Sequence, residues 1–183
     1  MLPETITEVF ELARQPGETD ESQYYGPYNV LLNYFFPHEE RYVVVPQYKR
    51  PIELRSVDFT TIFLVKHKAH PVFFVEVKSS SGLRLLSNRK DAHLEMRERF
   101  MHLFEDIAIG TLYGASAMGT KICIYKLEMM SRRLTRTIIP SDPELVTDTV
   151  PMNRWNIDLL TSEGEEQFRE IVQRVKKMST ELQ

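Results

Sequence analysis

Ser56-Val-Asp-Phe-Thr-Thr-Ile-Phe-Leu-Val-Lys-His-Lys-Ala-His-Pro-Val-Phe-Phe-Val-Glu-Val-Lys-Ser-Ser80 decides how this chain folds. Val57, Phe59, Thr61, Ile62, Phe63, Leu64 and Val65 make one β-branched and aromatic run, and Val72 to Val77 make a second. Neither run alternates with polar residues, so both read as strands covered on two faces. His67 to Pro71 is too short for a helical crossover, which leaves an antiparallel hairpin as the economical connection. Three ionisable residues interrupt the apolar pattern: Asp58 near the start of the first run, and Glu76 and Lys78 at the end of the second. Antiparallel pairing would bring them to one end of the sheet. Glu76 and Lys78, two apart, share a face.

Two carboxylates and an ammonium at the end of an apolar sheet need partners. Oxygen ligands from Asp58 and Glu76, with the Val77 carbonyl, suit Mg²⁺ or Mn²⁺. Lys78 beside such an ion would orient a water or stabilise charge developing on a phosphate. The bland alternative is a salt bridge between Lys78 and Asp58 or Glu76. With 26 acids and 9 lysines in the chain, about one acid-x-Lys tripeptide is expected by chance. Its location at a buried strand end, not its occurrence, therefore carries the weight.

This arrangement resembles the PD-(D/E)xK, or restriction-endonuclease-like, nuclease superfamily, whose signature is an acid on the second core strand and (D/E)-x-K on the third. Asp58 and Glu76-Val77-Lys78 stand in those places, although Val57 replaces the usual proline. The YGPYN run at 25–29, the EVK end of the second run, and LYGASAMGTKICIY at 112–125 are similar to uncharacterised fungal proteins related to that superfamily. The resemblance spans about residues 21–128. It implies an α/β (α+β) fold with a central mixed sheet of about four or more strands, flanked by helices in the order αβββαβ. It also implies a divalent-metal-dependent nuclease hydrolysing phosphodiester bonds, with Asp58, Glu76 and Lys78 catalytic. The alternative is a catalytically inactive protein of the same fold that binds nucleic acid or a protein partner. Nucleic acid is the expected partner, DNA ahead of RNA, with a homodimer left open.

Composition sets the outer limits. At 183 residues and 42% hydrophobic, one ordinary domain spanning 1–183 with a full core is expected. Its core is 21–128, and 129–183 form a C-terminal strand and helix extension. Net charge of −3 argues against a protein that coats nucleic acid wholesale but allows a local basic groove. Lone Cys123 lies in an apolar run and excludes a disulfide framework. The N-terminal sequence lacks a secretory pattern, and no run approaches the roughly 18 apolar residues of a spanning helix. An intracellular protein, nuclear or cytoplasmic and away from membranes, is the expectation.

Helices are expected over Thr5–Arg14, over Glu21–Phe36 with Pro27 in a first turn, over about Arg89–Ile107, and over Glu165–Leu182. Arg41–Lys49 reads as the first core strand, with Pro46 implying a sheet edge or bulge. In the related fold the first core helix often supplies a further carboxylate, and Glu21 is the candidate, beside the plain reading of an exposed loop acid. The third helix places Leu94, Met96, Phe100, Leu103, Phe104 and Ile107 on its apolar side. Asp91, Glu95 and Arg99 read as i,i+4 salt bridges on a solvated face. Residues 108–119 read as small residues and turns, and Thr120–Glu128 as the fourth strand. Ser131–Arg136, with three arginines, is a hairpin partner with a basic rim suited to phosphates, or a solvated turn. Lys49, Arg50, Arg55, Arg84 and Arg89 are the expected backbone-gripping cations.

Overall fold

The computed structural model describes residues 1–14, 20–46, 62–144 and 147–182. Helix α1 (Glu4–Ala13) is followed by a 3-10 turn at Glu21–Tyr24 that runs directly into α2 (Tyr25–Phe35). Three strands come next: β1 (Tyr42–Pro46), β2 (Ile62–His67) and β3 (His70–Lys78). Helix α3 (Leu86–Leu103) crosses over to β4 (Thr111–Met118), and β5 (Lys121–Glu128), β6 (Arg133–Leu134), β7 (Ile157–Asp158) and α4 (Ser162–Thr180) complete the order. The sheet runs β1-β2-β3-β4-β5-β6, with β7 also on β5. Only the β3–β4 pair is parallel among the described strands, so the sheet is mixed. The fold is α+β with the expected αβββαβ core.

The hairpin forms where the two apolar runs predict it. Ile62 pairs Glu76 and Leu64 pairs Phe74, with a register shift at Val65/Lys66. Its loop is two residues, Lys68 and Ala69, with φ of 47° and 69°. Positive φ at both central residues gives the backbone twist that matches paired strands. Pro46 ends β1, the outermost strand among the described residues, a position at which a missing N–H is tolerated.

Residues 108–119 correct the sequence reading. They contain β4, a buried strand beside β3, and Thr120–Glu128 supplies the next strand rather than the fourth. The small residues are a packing device. A Cβ on Gly114 would sit 2.5 Å from the Phe74 ring and 3.0 Å from the Met96 methyl. The bare backbone there lets α3 lie close over β3 and β4.

Residue parity divides the core. Phe73, Val75 and Val77 of β3 face α1, α2 and α4, packing with Phe10, Tyr28, Phe35 and Phe168. Phe74 faces α3 and packs with Ile62, Leu64, Met96, Phe100 and Tyr125. Glu76 and Lys78 share the parity of Phe74 and so lie under α3. Trp155, Ile157 and Leu159 are buried, and α4 starts against the Asp158 backbone, which only Gly164 could approach so closely. Phe168, Ile171, Val172 and Val175 turn inward as the periodicity predicts. No helix among the described residues is long and apolar enough to cross a membrane.

Gly114→Ala should destabilise the fold by about 1–3 kcal/mol in urea unfolding, because the added methyl meets a ring that cannot retreat. Phe74→Leu in the same chain should recover part of that loss, and additivity of the two changes would refute the contact. Ala69→Gly should instead raise stability by about 1 kcal/mol, since glycine adopts φ of 69° without a Cβ clash.

Candidate functional site

The last turn of β3 carries the site. Glu76 lies on the α3 side between Ile62 of β2 and Ser116 of β4, and Ser116 in turn pairs Cys123 of β5. Of this row only Glu76 is ionisable at ordinary pH, and it is completely buried. Neither of its carboxyl oxygens meets a donor among the described residues, and the Ser116 hydroxyl is likewise buried without a partner. Burial, then the neighbouring Glu95 carboxylate, push the Glu76 carboxyl up to about 8, against the pull of Arg99 and Lys78. A contact between two carboxyls is favourable only when one holds a proton, and burial assigns that proton to Glu76.

Lys78 is the next residue on the same face. Its ammonium pairs with Glu95 at 2.7 Å, both side chains about a quarter exposed. Burial works to lower the Lys78 pKa, but Glu95, Glu76 and Glu21 together hold it above the ordinary lysine value. Glu21 therefore lies within electrostatic reach of Lys78, and its carboxylate accepts a hydrogen bond from the Tyr25 hydroxyl at 2.8 Å. Val77 points its side chain to the opposite core.

The structure thus joins Glu76 and Lys78 as the sequence predicts, and adds Glu95 and Arg99. These two are not the solvated ion pairs expected of them. Glu95 reaches Lys78, and the Arg99 Nε is buried with no acceptor among the described residues. Their i,i+4 spacing on the helix after the lysine was the available signal. What concealed it is that α3 is polar on three sides, so periodicity alone does not fix which polar stripe faces the sheet. Leu94, expected on the apolar side, is 53% exposed, and His93 is buried in its stead.

Asp58, Lys49, Arg50 and Arg55 lie outside the described residues. Arg84 lines a cleft of about 520 Å³ just past the end of β3, with Arg14, Lys121, Ser80 and Ser81 on its other walls. Arg89 is withdrawn from any such surface. It is buried, and its guanidinium donates to the Val150 and Leu83 carbonyls and pairs with Asp148 at 3.0 Å. It clamps the start of α3 to the segment before β7 and is not free to grip a ligand.

As a cation site the cluster offers hard oxygen ligands of the kind Mg²⁺ or Mn²⁺ takes, from Glu76 and Glu95 with Glu21 nearby. The two orphaned oxygens of Glu76 fit such an ion. No group of three or more His, Cys, Asp or Glu side chains positioned to hold a metal occurs among the described residues.

A sign follows for the metal-free protein. The folded state keeps the Glu76 proton that the unfolded chain releases near 4.5, so folding stability falls as pH rises from about 4.5 to about 8. Unfolding titrations at several pH values should show this slope, and Glu76→Gln should flatten it. An unchanged slope in Glu76→Gln would place the proton elsewhere.

Searches against known protein families, curated proteins and solved structures return no match, so the geometry of this cluster carries the functional reading by itself.

Proposed function

We propose that the chain is a divalent-metal-dependent nuclease that hydrolyses phosphodiester bonds, with Glu76 and Lys78 at its centre and Asp58 completing the acid set. The observation that carries this reading is the Glu76 carboxyl, wholly buried, with no donor to its oxygens among the described residues, and beside a second carboxylate. A purely structural residue in such a place would ordinarily be apolar, because burying a carboxyl that must hold a proton beside a second acid costs free energy. A site kept for a cation explains why an acid stands there. Mg²⁺ or Mn²⁺, when bound, would supply Lewis-acid polarisation of a phosphate oxygen and a more acidic water.

The protein's own groups supply the rest. Glu76 would hold the ion together with Asp58, with Glu95 and Glu21 as nearby acids, and loss of the Glu76 proton accompanies its loading. Lys78 stands two residues from Glu76 on the same face, near enough to the acids to steady the charge that grows on the phosphate. Arg14, Arg84 and Lys121 on the adjoining cleft would take neighbouring phosphates of a nucleic acid strand, DNA ahead of RNA.

One observation favours a second reading. Lys78 is tied to Glu95 at 2.7 Å, and a lysine locked in an ion pair suits an inactive relative that binds nucleic acid or a protein without cutting. Cleavage and binding separate the two. Wild type should cut plasmid or single-stranded substrate with Mg²⁺ or Mn²⁺. Lys78→Ala should keep metal and nucleic-acid binding while cleaving about 10²–10⁴-fold more slowly. Glu76→Ala and Asp58→Ala should lose Mn²⁺ binding in calorimetric titration. Wild type that binds nucleic acid but cuts nothing with either metal would establish the inactive reading; variants that all cut like wild type would end the assignment.

A further inference from the structure

We infer that the hairpin return after β6, together with Arg154, forms a separate binding site for a phosphate oxyanion on the other flank of α3. The segment is built around arginines. Arg133 opens β6, opposite Glu128 of β5. Thr135 then fixes the return, its N–H donating to the Lys126 carbonyl and its hydroxyl accepting from the Lys126 N–H at 2.8 Å. Arg136 follows with φ of 61°, a left-handed backbone that a non-glycine residue holds only at some cost. Its Nε donates to the Ile124 carbonyl at 3.1 Å, which aims the guanidinium along β5.

Arg154 meets this return from the 3-10 turn before β7. It is 91% buried by its 9% residual exposure, and one terminal nitrogen donates to the Thr137 carbonyl at 3.0 Å. Its other terminal nitrogen is buried and has no acceptor among the described residues. Arg133, Arg136 and Arg154, with Thr135 and Thr137, line one cavity of about 330 Å³, and no carboxylate among the described residues lines it. Glu128, across the strands from Arg133 and within its electrostatic reach, is engaged more closely by Lys126 at 2.9 Å and Ser131 at 3.2 Å. The field of these arginines reaches inward. Burial, then Arg154 and Arg97, hold the buried His93 imidazole down at about 4, so it stays neutral.

Three guanidinium groups around a cavity without an acid are repulsive among themselves. A buried N–H without an acceptor adds to that cost. An oxyanion removes both, and the planar fork of arginine matches phosphate geometry in pairs of hydrogen bonds. The strained Arg136 backbone is then intelligible, since glycine would suit the turn but would bring no guanidinium. The volume admits a phosphate with part of its ester substituent and not a folded partner. Metal plays no part in this site, and no group of the Glu76 cluster lines it, so it stands or falls apart from the nuclease reading.

The test uses the full chain without divalent metal. Inorganic phosphate and pyrophosphate, against chloride at matched ionic strength, should raise the unfolding temperature and bind in calorimetry. Arg136→Gly should weaken phosphate binding about tenfold or more while unfolding at or above the wild-type temperature, because the substitution relieves the backbone. Arg154→Gln should weaken it likewise. Short single strands with and without a 5′-phosphate identify the source. Preference for the phosphorylated strand means a terminal phosphate, equal competition by both means the backbone diester, and competition by neither means a small phosphorylated molecule. Each of these keeps the site. Wild type unmoved by phosphate and pyrophosphate relative to chloride, or Arg136→Gly binding as tightly as wild type, overturns it.

Discussion

A carboxylate inside an apolar sheet face is the constraint on which this architecture turns. Glu76 sits in the row Ile62–Glu76–Ser116–Cys123 and is shielded from water by α3. Such a group tolerates burial either by holding a proton or by meeting a cation. The protein arranges for the first, and the proposed function calls on the second. Lys78 and Arg99 draw the proton off, while burial and Glu95 keep it on. If both acids were ionised, Glu76, Glu95, Lys78 and Arg99 would balance in charge. Burial of Glu76 is what upsets that balance at neutral pH, leaving the four groups with one positive charge in excess.

Helix α3 is the element that makes the cluster. Its height above the sheet is set by Gly114, which lets the Phe74 ring and the Met96 methyl meet over β4. Its roll is set by Ala92, Met96, Phe100 and Leu103, the stripe that faces the sheet. With height and roll fixed, the flanks follow. Glu95 and Arg99 fall on the side of Glu76 and Lys78. His93 falls on the side of Tyr125, with its Nδ1 3.0 Å from the tyrosine hydroxyl, and Arg97 reaches the carbonyl of Arg136. One packed stripe thus separates an acid-rich flank from an arginine-rich one. Arg89 anchors the helix start by ties to Val150, Leu83 and Asp148, which explains why an arginine is buried there.

Much of this was legible from the residues alone. The hairpin, the helical crossover after Lys78, the edge position of Pro46 and the inward face of α4 follow from local periodicity and backbone chemistry, which act over a few residues. That Glu76 and Lys78 share one face also follows, because strand parity is a property of the backbone. The placement of β4 did not. Residues 108–119 look like a turn because glycine, alanine and serine carry no strand signal, and their value appears only when Phe74 and Met96 occupy the space above them.

The partners of Glu76 were equally hidden. Glu95 and Arg99 satisfy the pattern of an ordinary solvated helix face, and nothing local distinguishes them from Asp91 and Glu98. Arg84 and Arg89 are alike in sequence context, yet one lines an open cleft and the other is buried as a clamp. The sequence by itself determined the hairpin and the helices, and that an acid and a lysine close β3. Tertiary structure decided which polar stripe of α3 meets them, because the roll of a helix is fixed by packing across a sheet and not by the order of its own residues.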